Sequence, residues 1–160
     1  MDGLIRGAEH IPGAGAPNGV NYYRTQKGNF IISTDPDHLD AEAVFGFLQE
    51  TKWWNDLTRD SLKQALRHSL CFSLKEDDRQ IGVARVITDY VTYAYLCDVY
   101  IVEGRRGQGL GSWLIRSVLE HPDLKHLKRM ALITHDAQTF YLHLNFHFPP
   151  HSDLYMERLR

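Results

Sequence analysis

Residues 96–112 read Leu96-Cys97-Asp98-Val99-Tyr100-Ile101-Val102-Glu103-Gly104-Arg105-Arg106-Gly107-Gln108-Gly109-Leu110-Gly111-Ser112. An apolar run, a charged turn, glycines at every second position and then a helical stripe predict a strand, a loop and a helix start. A helix that opens after a glycine-rich loop presents unpaired backbone N–H groups and the positive end of its dipole, and both favour a bound pyrophosphate. Glycine is needed because a Cβ would hold the ligand away and because such loops use positive φ. Each glycine also weakens a helix by about 1 kcal/mol relative to Ala, so three of them are a costly way to make a turn. Arg105 and Arg106 add positive charge beside the loop.

Three phosphate-binding patterns compete for this stretch. A P-loop needs Lys followed by Ser or Thr after its second Gly, and no such pair occurs here. A dinucleotide fold needs G-x-G-x-x-G at the first strand–helix turn. Here the spacing is Gly107-x-Gly109-x-Gly111, late in the chain. The pattern that fits is R-x-x-G-x-G, from Arg106 to Gly111.

Outward from this unit the chain reads as mixed α and β. Upstream, strands are predicted at 30–32, 70–75, 80–88 and 93–102, and helices at 39–50 and 59–68. Asp37 or Asp40 is available to cap the first helix. The strand at 93–102 lacks polar alternation, as a strand buried on both faces does. Downstream come a helix over 109–121 stopped by Pro122, a strand at 129–134, a short helix at 136–144 and a last strand at 154–159. Residues 1–28, rich in Gly and broken by Pro12 and Pro17, are expected to be a flexible or loosely docked segment, with the folded domain at 29–160.

The chain has 160 residues, a net charge of −2 and ordinary apolar and charged fractions, which fits one soluble domain with a sizeable core. No basic field is available for non-specific nucleic-acid binding, and no apolar run reaches the length of a membrane span. The start lacks the pattern of a signal peptide, and the two cysteines, Cys71 and Cys97, sit in apolar runs as buried thiols rather than a disulfide framework. A cytoplasmic protein is expected. No metal-ligand spacing and no G-x-S-x-G elbow occurs.

Asp98 is an acid in an otherwise apolar strand. It is either a poised proton acceptor or a carboxylate satisfied by neighbouring backbone or by Arg85. Asp89, Glu103 and His135 are further candidates for a base. Trp53, Trp54, Asp56, Tyr93 and Tyr95, with Asp89, are candidates for a pocket that suits an amine or ammonium group; packing in the core or at its rim is the other reading.

The R-x-x-G-x-G segment resembles motif A of the GCN5-related N-acetyltransferase (GNAT) superfamily, over roughly residues 30–160. The resemblance implies an acyl-CoA N-acyltransferase fold: a central twisted mixed sheet, flanked by helices, whose parallel strands at 93–102 and 129–134 splay around acetyl-CoA. It places the cofactor arm along Val99, Tyr100 and Ile101, and the pyrophosphate on Arg106, Gly107, Gln108, Gly109, Leu110, Gly111 and Ser112. The family's second motif is a short helix bearing a Tyr and ending in Gly-Phe. Here it reads Tyr141-Leu142-His143-Leu144-Asn145-Phe146, with Asn in place of Gly, a change an αL position tolerates. Thr134 stands where the family often has an Asn touching the cofactor arm. Residues 82–89, 96–101 and 134–137 resemble a group of small bacterial-type acetyltransferases.

What the resemblance implies is acetyl transfer from coenzyme A to an amine by direct attack in a ternary complex. Tyr141 would protonate the leaving thiolate, and Asp98 or a water would assist deprotonation. No metal is implied. The acceptor is expected to be a small amine or a peptide or protein amine, and the protein a monomer or homodimer. A CoA-binding sensor or scaffold without turnover is the alternative, and modification of a nucleic acid such as tRNA a third.

Overall fold

β-branched and aromatic residues make up half of the two longest strands, β5 (Arg79–Thr88) and β6 (Ala94–Ile101), the strands that carry the site. A computed structural model describes residues 6–12, 21–51, 53–54 and 56–158. The other strands are β1 (Arg6–Pro12), β2 (Asn21–Lys27), β3 (Phe30–Ser33), β4 (Leu70–Glu76) and β7 (Met130–Ala131). All seven lie in one sheet in chain order. Every neighbouring pair is antiparallel except β6 and β7, which are parallel.

Two helix layers cover the sheet. On one face α1 (Ala41–Gln49) and α2 (Arg59–Arg67) bury Val44, Phe45, Leu48 and Leu62 against Val83 and Tyr100. On the other, α3 (Leu110–Leu119) buries Trp113, Leu114, Ile115 and Val118 against Phe72, Ala84, Val86 and Leu96. Val83 and Ala84 are consecutive and serve opposite faces, as the two-residue period of a strand requires. Asp40 caps α1 by accepting from the N–H groups of Glu42 and Ala43, and Thr58 caps α2 in a reciprocal box with Ser61. The fourth helix, α4 (Gln138–Leu142), follows β7.

One irregularity in this sheet matters for the site. β5 and β6 pair Val83 with Tyr100 but Arg85 with Cys97, so Asp98 and Val99 together oppose Ala84. Asp98 takes φ +49, the left-handed conformation of a bulged residue. Gly82 permits the close approach beside it: a Cβ there would stand 2.7 Å from Ile101 Cδ1 and 2.9 Å from the Tyr100 carbonyl.

Three sequence expectations need correction. The boundary at residue 28 falls inside a β-hairpin. Tyr23 and Thr25 of β2 point inward, Lys27 and Phe30 pair across a Gly28-Asn29 turn, and the Tyr23 ring lies 6.2 Å from Phe72 in the core. The period-two signal of residues 22–26 was hidden by the glycines and prolines before it; residues 1–5 and 13–20, with Pro17, lie outside the described residues. The strand expected at 154–159 is instead a 3-10 turn at Ser152–Leu154 followed by irregular chain, with Leu154 and Met156 exposed; residue 159 is outside the described residues. An apolar run forms a strand only where a sheet edge accepts its backbone. The strand expected at 129–134 is reduced to two residues, because the chain leaves β6 after Ala131.

Candidate active site

The cradle starts where β6 ends. A 3-10 turn, Glu103–Arg105, leads into Gly107 and Gly109, which take φ +75 and +77. A side chain at either position would be strained, and its Cβ would meet no protein atom within 4 Å, projecting into the open space before the helix. Gly109 is the N-cap of α3 and no side chain caps the first turn. The backbone donors of residues 110–112 and the helix dipole are therefore left for a ligand. Leu110 contributes its backbone only, since its side chain is in the core.

The two arginines divide their work, which the sequence did not separate. Arg105 makes a bidentate ion pair with Glu76 on β4, with contacts of 2.9 and 3.0 Å, and ties the turn to the sheet. Arg106 is exposed and donates from Nε to the Ile101 carbonyl at 2.8 Å, with its guanidinium over the Tyr100 ring at 5.3 Å. Ile101 therefore has its carbonyl occupied by Arg106, whose exposed guanidinium adds positive charge beside the cradle. Gln108 bridges the loop from Nε2 to the Gly104 carbonyl at 3.4 Å.

Beside the cradle the sheet parts. β6 and β7 pair only at Ala94–Met130 and Tyr95–Ala131, and beyond that point no strand among the described residues pairs with β6 on this side. A cavity of about 600 Å³ occupies the gap. Leu96–Tyr100 form one wall and Leu132, Ile133, Thr134 and Tyr141 the other. The unpaired edge of β6 exposes backbone donors and acceptors that an extended amide chain can pair with.

Tyr141 projects from α4. Its hydroxyl makes no hydrogen bond to another described residue, and burial pushes its pKa up to about 12, so the phenol stays protonated at neutral pH. Its ring is held edge-on by Phe140 and Phe146 at 5.0 and 5.6 Å. Phe140 also packs against the cradle helix, since a Cβ on Gly111 would lie 3.6 Å from it. The turn after α4 is closed by Phe146 N–H to the Tyr141 carbonyl and Asn145 N–H to the Leu142 carbonyl, with Asn145 at φ +65. Asn145 thus adopts the left-handed conformation expected of a Gly substitute. Thr134 lines the cavity, and its Oγ1 accepts from the Ala137 N–H at 3.0 Å to start α4.

Asp98 also reaches the cavity, but both its oxygens are taken. Arg85 Nε donates to Oδ2 at 2.6 Å and Trp54 Nε1 donates to Oδ1 at 3.0 Å, with both charged side chains buried. A proton placed on Asp98 would leave the Arg85 guanidinium buried without its counter-charge. The reading of Asp98 as proton acceptor is therefore revised: of the two alternatives, satisfaction by Arg85 is the one found. The bulge is clamped by this pair, since a left-handed non-glycine residue persists only where its surroundings hold it.

The expected acceptor residues separate into two groups. Trp53, Trp54 and Tyr95 line the cavity, and Trp53 lies against His135 with ring centres 5.3 Å apart and planes tilted by 36°. Tyr93 and Asp89 belong to the loop between β5 and β6. Asp89 Oδ1 accepts from the N–H groups of Val91, Thr92 and Tyr93, and its Oδ2 accepts from the Thr92 hydroxyl. These bonds, the Thr92 hydroxyl first, hold its carboxyl far below the usual carboxylate range. Asp89 is thus corrected from a substrate or base residue to the organiser of its turn. Glu50, missed in the sequence because it reads as the polar end of α1, lines the cavity and accepts from the Tyr100 hydroxyl.

Cys97 lies at the cavity wall and Cys71 two strands away, both half-buried and free. Cys71 pairs with Arg85 and Arg85 with Cys97, so β5 stands between the thiols. Two strand spacings, about 10 Å, are beyond disulfide reach. Burial pushes both thiols up to about 12. Among the described residues no helix is long and apolar enough to cross a membrane, and no group of three or more His, Cys, Asp and Glu could hold a metal.

A mixed sheet that parts beside a glycine-lined helix start, with a cavity between the diverging strands, defines the acyl-CoA N-acyltransferase class of fold. The model of the acetyltransferase (GNAT) family matches residues 36–146, and the chain belongs to that family and is an acyltransferase. A Gibberella zeae protein with an acetyltransferase name is 36% identical, over 69% of this chain and 74% of its own. The crystal structure of a protein assigned to the GNAT family from Xanthomonas campestris pv. campestris is 38% identical, with a TM-score of 0.79 over 83% of this chain and 94% of that one. A GNAT family acetyltransferase from Elizabethkingia anophelis, solved with acetyl-CoA bound, shares the fold at 19% identity and a TM-score of 0.56, over 84% of this chain and 90% of that one.

Proposed function

We propose that the protein transfers the acetyl group of acetyl-CoA to an amine, by direct attack within one ternary complex in the cavity between β6 and β7. One observation carries this reading: the gap lies between two built features, the uncapped cradle of α3 and the protonated Tyr141. The backbone donors of Gly107–Ser112 and the exposed positive charge of Arg106 suit the pyrophosphate. The unpaired edge of β6 at Val99 and Tyr100 suits the amide arm, and a β6 N–H can polarise the thioester carbonyl. Acetyl-CoA brings the activated acyl group and a thiol leaving group.

Tyr141 supplies the proton that the leaving thiolate needs. An ordinary thiol has a pKa of about 8.5, well below that of this phenol. The same burial that raises Tyr141 also disfavours a naked thiolate, so the transfer occurs between two groups moved in one direction. Trp53, Trp54 and Tyr95 form the acceptor side, with π-faces suited to an ammonium.

Calorimetry with acetyl-CoA, followed by thiol release against a panel of primary amines, tests the reading. Binding together with amine-dependent release is expected. Binding without release on any amine would mean a CoA-binding module, and no binding would remove the assignment.

A further inference from the structure

Among the described residues four carboxylates line the cavity: Glu50, Asp98, Glu103 and Asp136. They are not equivalent. Asp98 is closed at both oxygens by Arg85 and Trp54. Glu103 begins the turn into the cradle, and its carbonyl caps the Arg106 N–H, which places it at the phosphate end. Asp136 precedes α4, on the wall that carries Tyr141. Glu50 stands at the opposite wall, at the start of the loop that carries Trp53 and Trp54.

Glu50 is also held for a purpose the packing does not explain. Tyr100 donates its hydroxyl to Oε2, while Oε1 accepts from no described residue. The Tyr100 ring is stacked on Phe47, centres 4.8 Å apart and planes within 13°, and lies under Arg106. An exposed carboxylate normally wanders; this one is aimed by a buried phenol from the strand that borders the thioester position. The loop is therefore joined to β6 at two points, Glu50 to Tyr100 and Trp54 to Asp98, on either side of Val99.

Resting on the acetyl-transfer reading, we infer that Glu50 binds the ammonium of the acceptor and takes its proton, and that Asp98 is a positioning residue acting through Trp54. The balance is simple. The amine nitrogen forms the C–N bond as the C–S bond breaks, and Tyr141 gives its proton to the sulfur. The nitrogen loses two protons through Glu50: one returns by solvent to the Tyr141 phenolate and one is released. One remains on the product amide. The acceptor class is an alkylammonium whose charge sits between Glu50 and the indole faces.

The test uses the full-length protein and acetyl-CoA with two probes, n-butylamine and glycinamide. Alkylamines have a pKa of about 10.4 and α-amino groups about 8, so the first depends more on a base. Glu50→Gln should lower amine-dependent thiol release about a hundredfold with n-butylamine and clearly less with glycinamide, with acetyl-CoA Kd within about twofold. Trp54→Phe, which removes the Nε1–H donor to Asp98 and leaves the Arg85–Asp98 pair intact, should lower both rates by less than about tenfold and equally, chiefly through acceptor KM. Equal losses with both amines in Glu50→Gln, or a larger loss in Trp54→Phe than in Glu50→Gln, would overturn the inference. So would loss of acetyl-CoA binding in Glu50→Gln, which would mark Glu50 as structural. Absent binding in the unaltered protein would instead sink the acetyl-transfer reading.

Discussion

At residues 106–112 the binding groups are backbone N–H groups, set by two left-handed glycines and a helix start that no side chain caps. At residues 50–54 they are side chains, set by partners more than forty residues away: Trp54 on Asp98 and Glu50 beneath Tyr100. One half of the cavity is local and conformational. The other is non-local and depends on a buried ion pair. The difference teaches where each half is vulnerable. Backbone cradles fail through φ and access, whereas side-chain clamps fail through unpaired charge.

The clamp should break hardest. Arg85→Met leaves Asp98 buried without its counter-charge and should lower unfolding free energy by about 3–5 kcal/mol, read by chemical denaturation. Arg85→Met with Asp98→Leu should recover most of that loss, because an apolar pair of similar volume tolerates burial. If the single variant is no less stable than the parent, the clamp is not what holds the bulge.

Between the two halves stands Tyr141. Tyr141→Phe should cut kcat by about 10²–10³-fold while acetyl-CoA Kd stays within about twofold, because the lost group acts on the thiolate and not on binding. A matching loss of affinity would show that the hydroxyl binds rather than donates.

The cradle should yield less in stability and more in affinity. Gly109→Val forces a β-branched residue towards φ +77 and screens the helix start. Acetyl-CoA binding should weaken about 30-fold, the equivalent of the ~2 kcal/mol that a well-placed helix N-terminus contributes. Unchanged calorimetric affinity would place the phosphate elsewhere.

The smallest effect lies away from both halves. His38, half-buried, hydrogen-bonds Ser73 Oγ through Nδ1 at 3.1 Å. Burial first, then Lys75 and Arg24, lowers its pKa from the ordinary 6.5 to about 4. The folded state resists protonation that the unfolded state accepts, so stability is full above pH 6.5 and falls as pH drops towards about 4. His38→Gln should remove this component, narrowing the Tm difference between pH 7 and pH 4 by about 2 °C, since solvent screening limits a half-exposed group. The catalytic rate at pH 7 should not move.

The cradle was legible because its instructions are consecutive: glycines at alternate positions before a helical stripe admit few conformations. Tyr141 and Asn145 were legible by the same logic, within one short helix and its αL exit. Asp98 was legible as an anomaly, an acid in an apolar run, but not as a solved one. Its neighbours Arg85 and Trp54 lie 13 and 44 positions away, and spacing alone cannot say that a bulge turns the carboxylate between them. Asp89 misled for the opposite reason: an acid beside aromatics looks like a binding group, although its partners are the N–H groups of the next residues. β2 was lost behind glycines and prolines, and the final strand was expected where no edge receives it.

By itself the sequence determined what local chemistry can determine: the strand–loop–helix cradle, the acidic cap of the first helix, the α4 exit and the general alternation of α and β. These depend on φ preferences, capping and periodicity within a few residues. Tertiary structure alone decided that β7 parts from β6 after Ala131, that Asp98 is spent on Arg85 and Trp54, and that Glu50 is aimed by Tyr100. Each of those depends on strand register and on a one-residue bulge, and a shift of one residue in a strand sends every side chain to the other face.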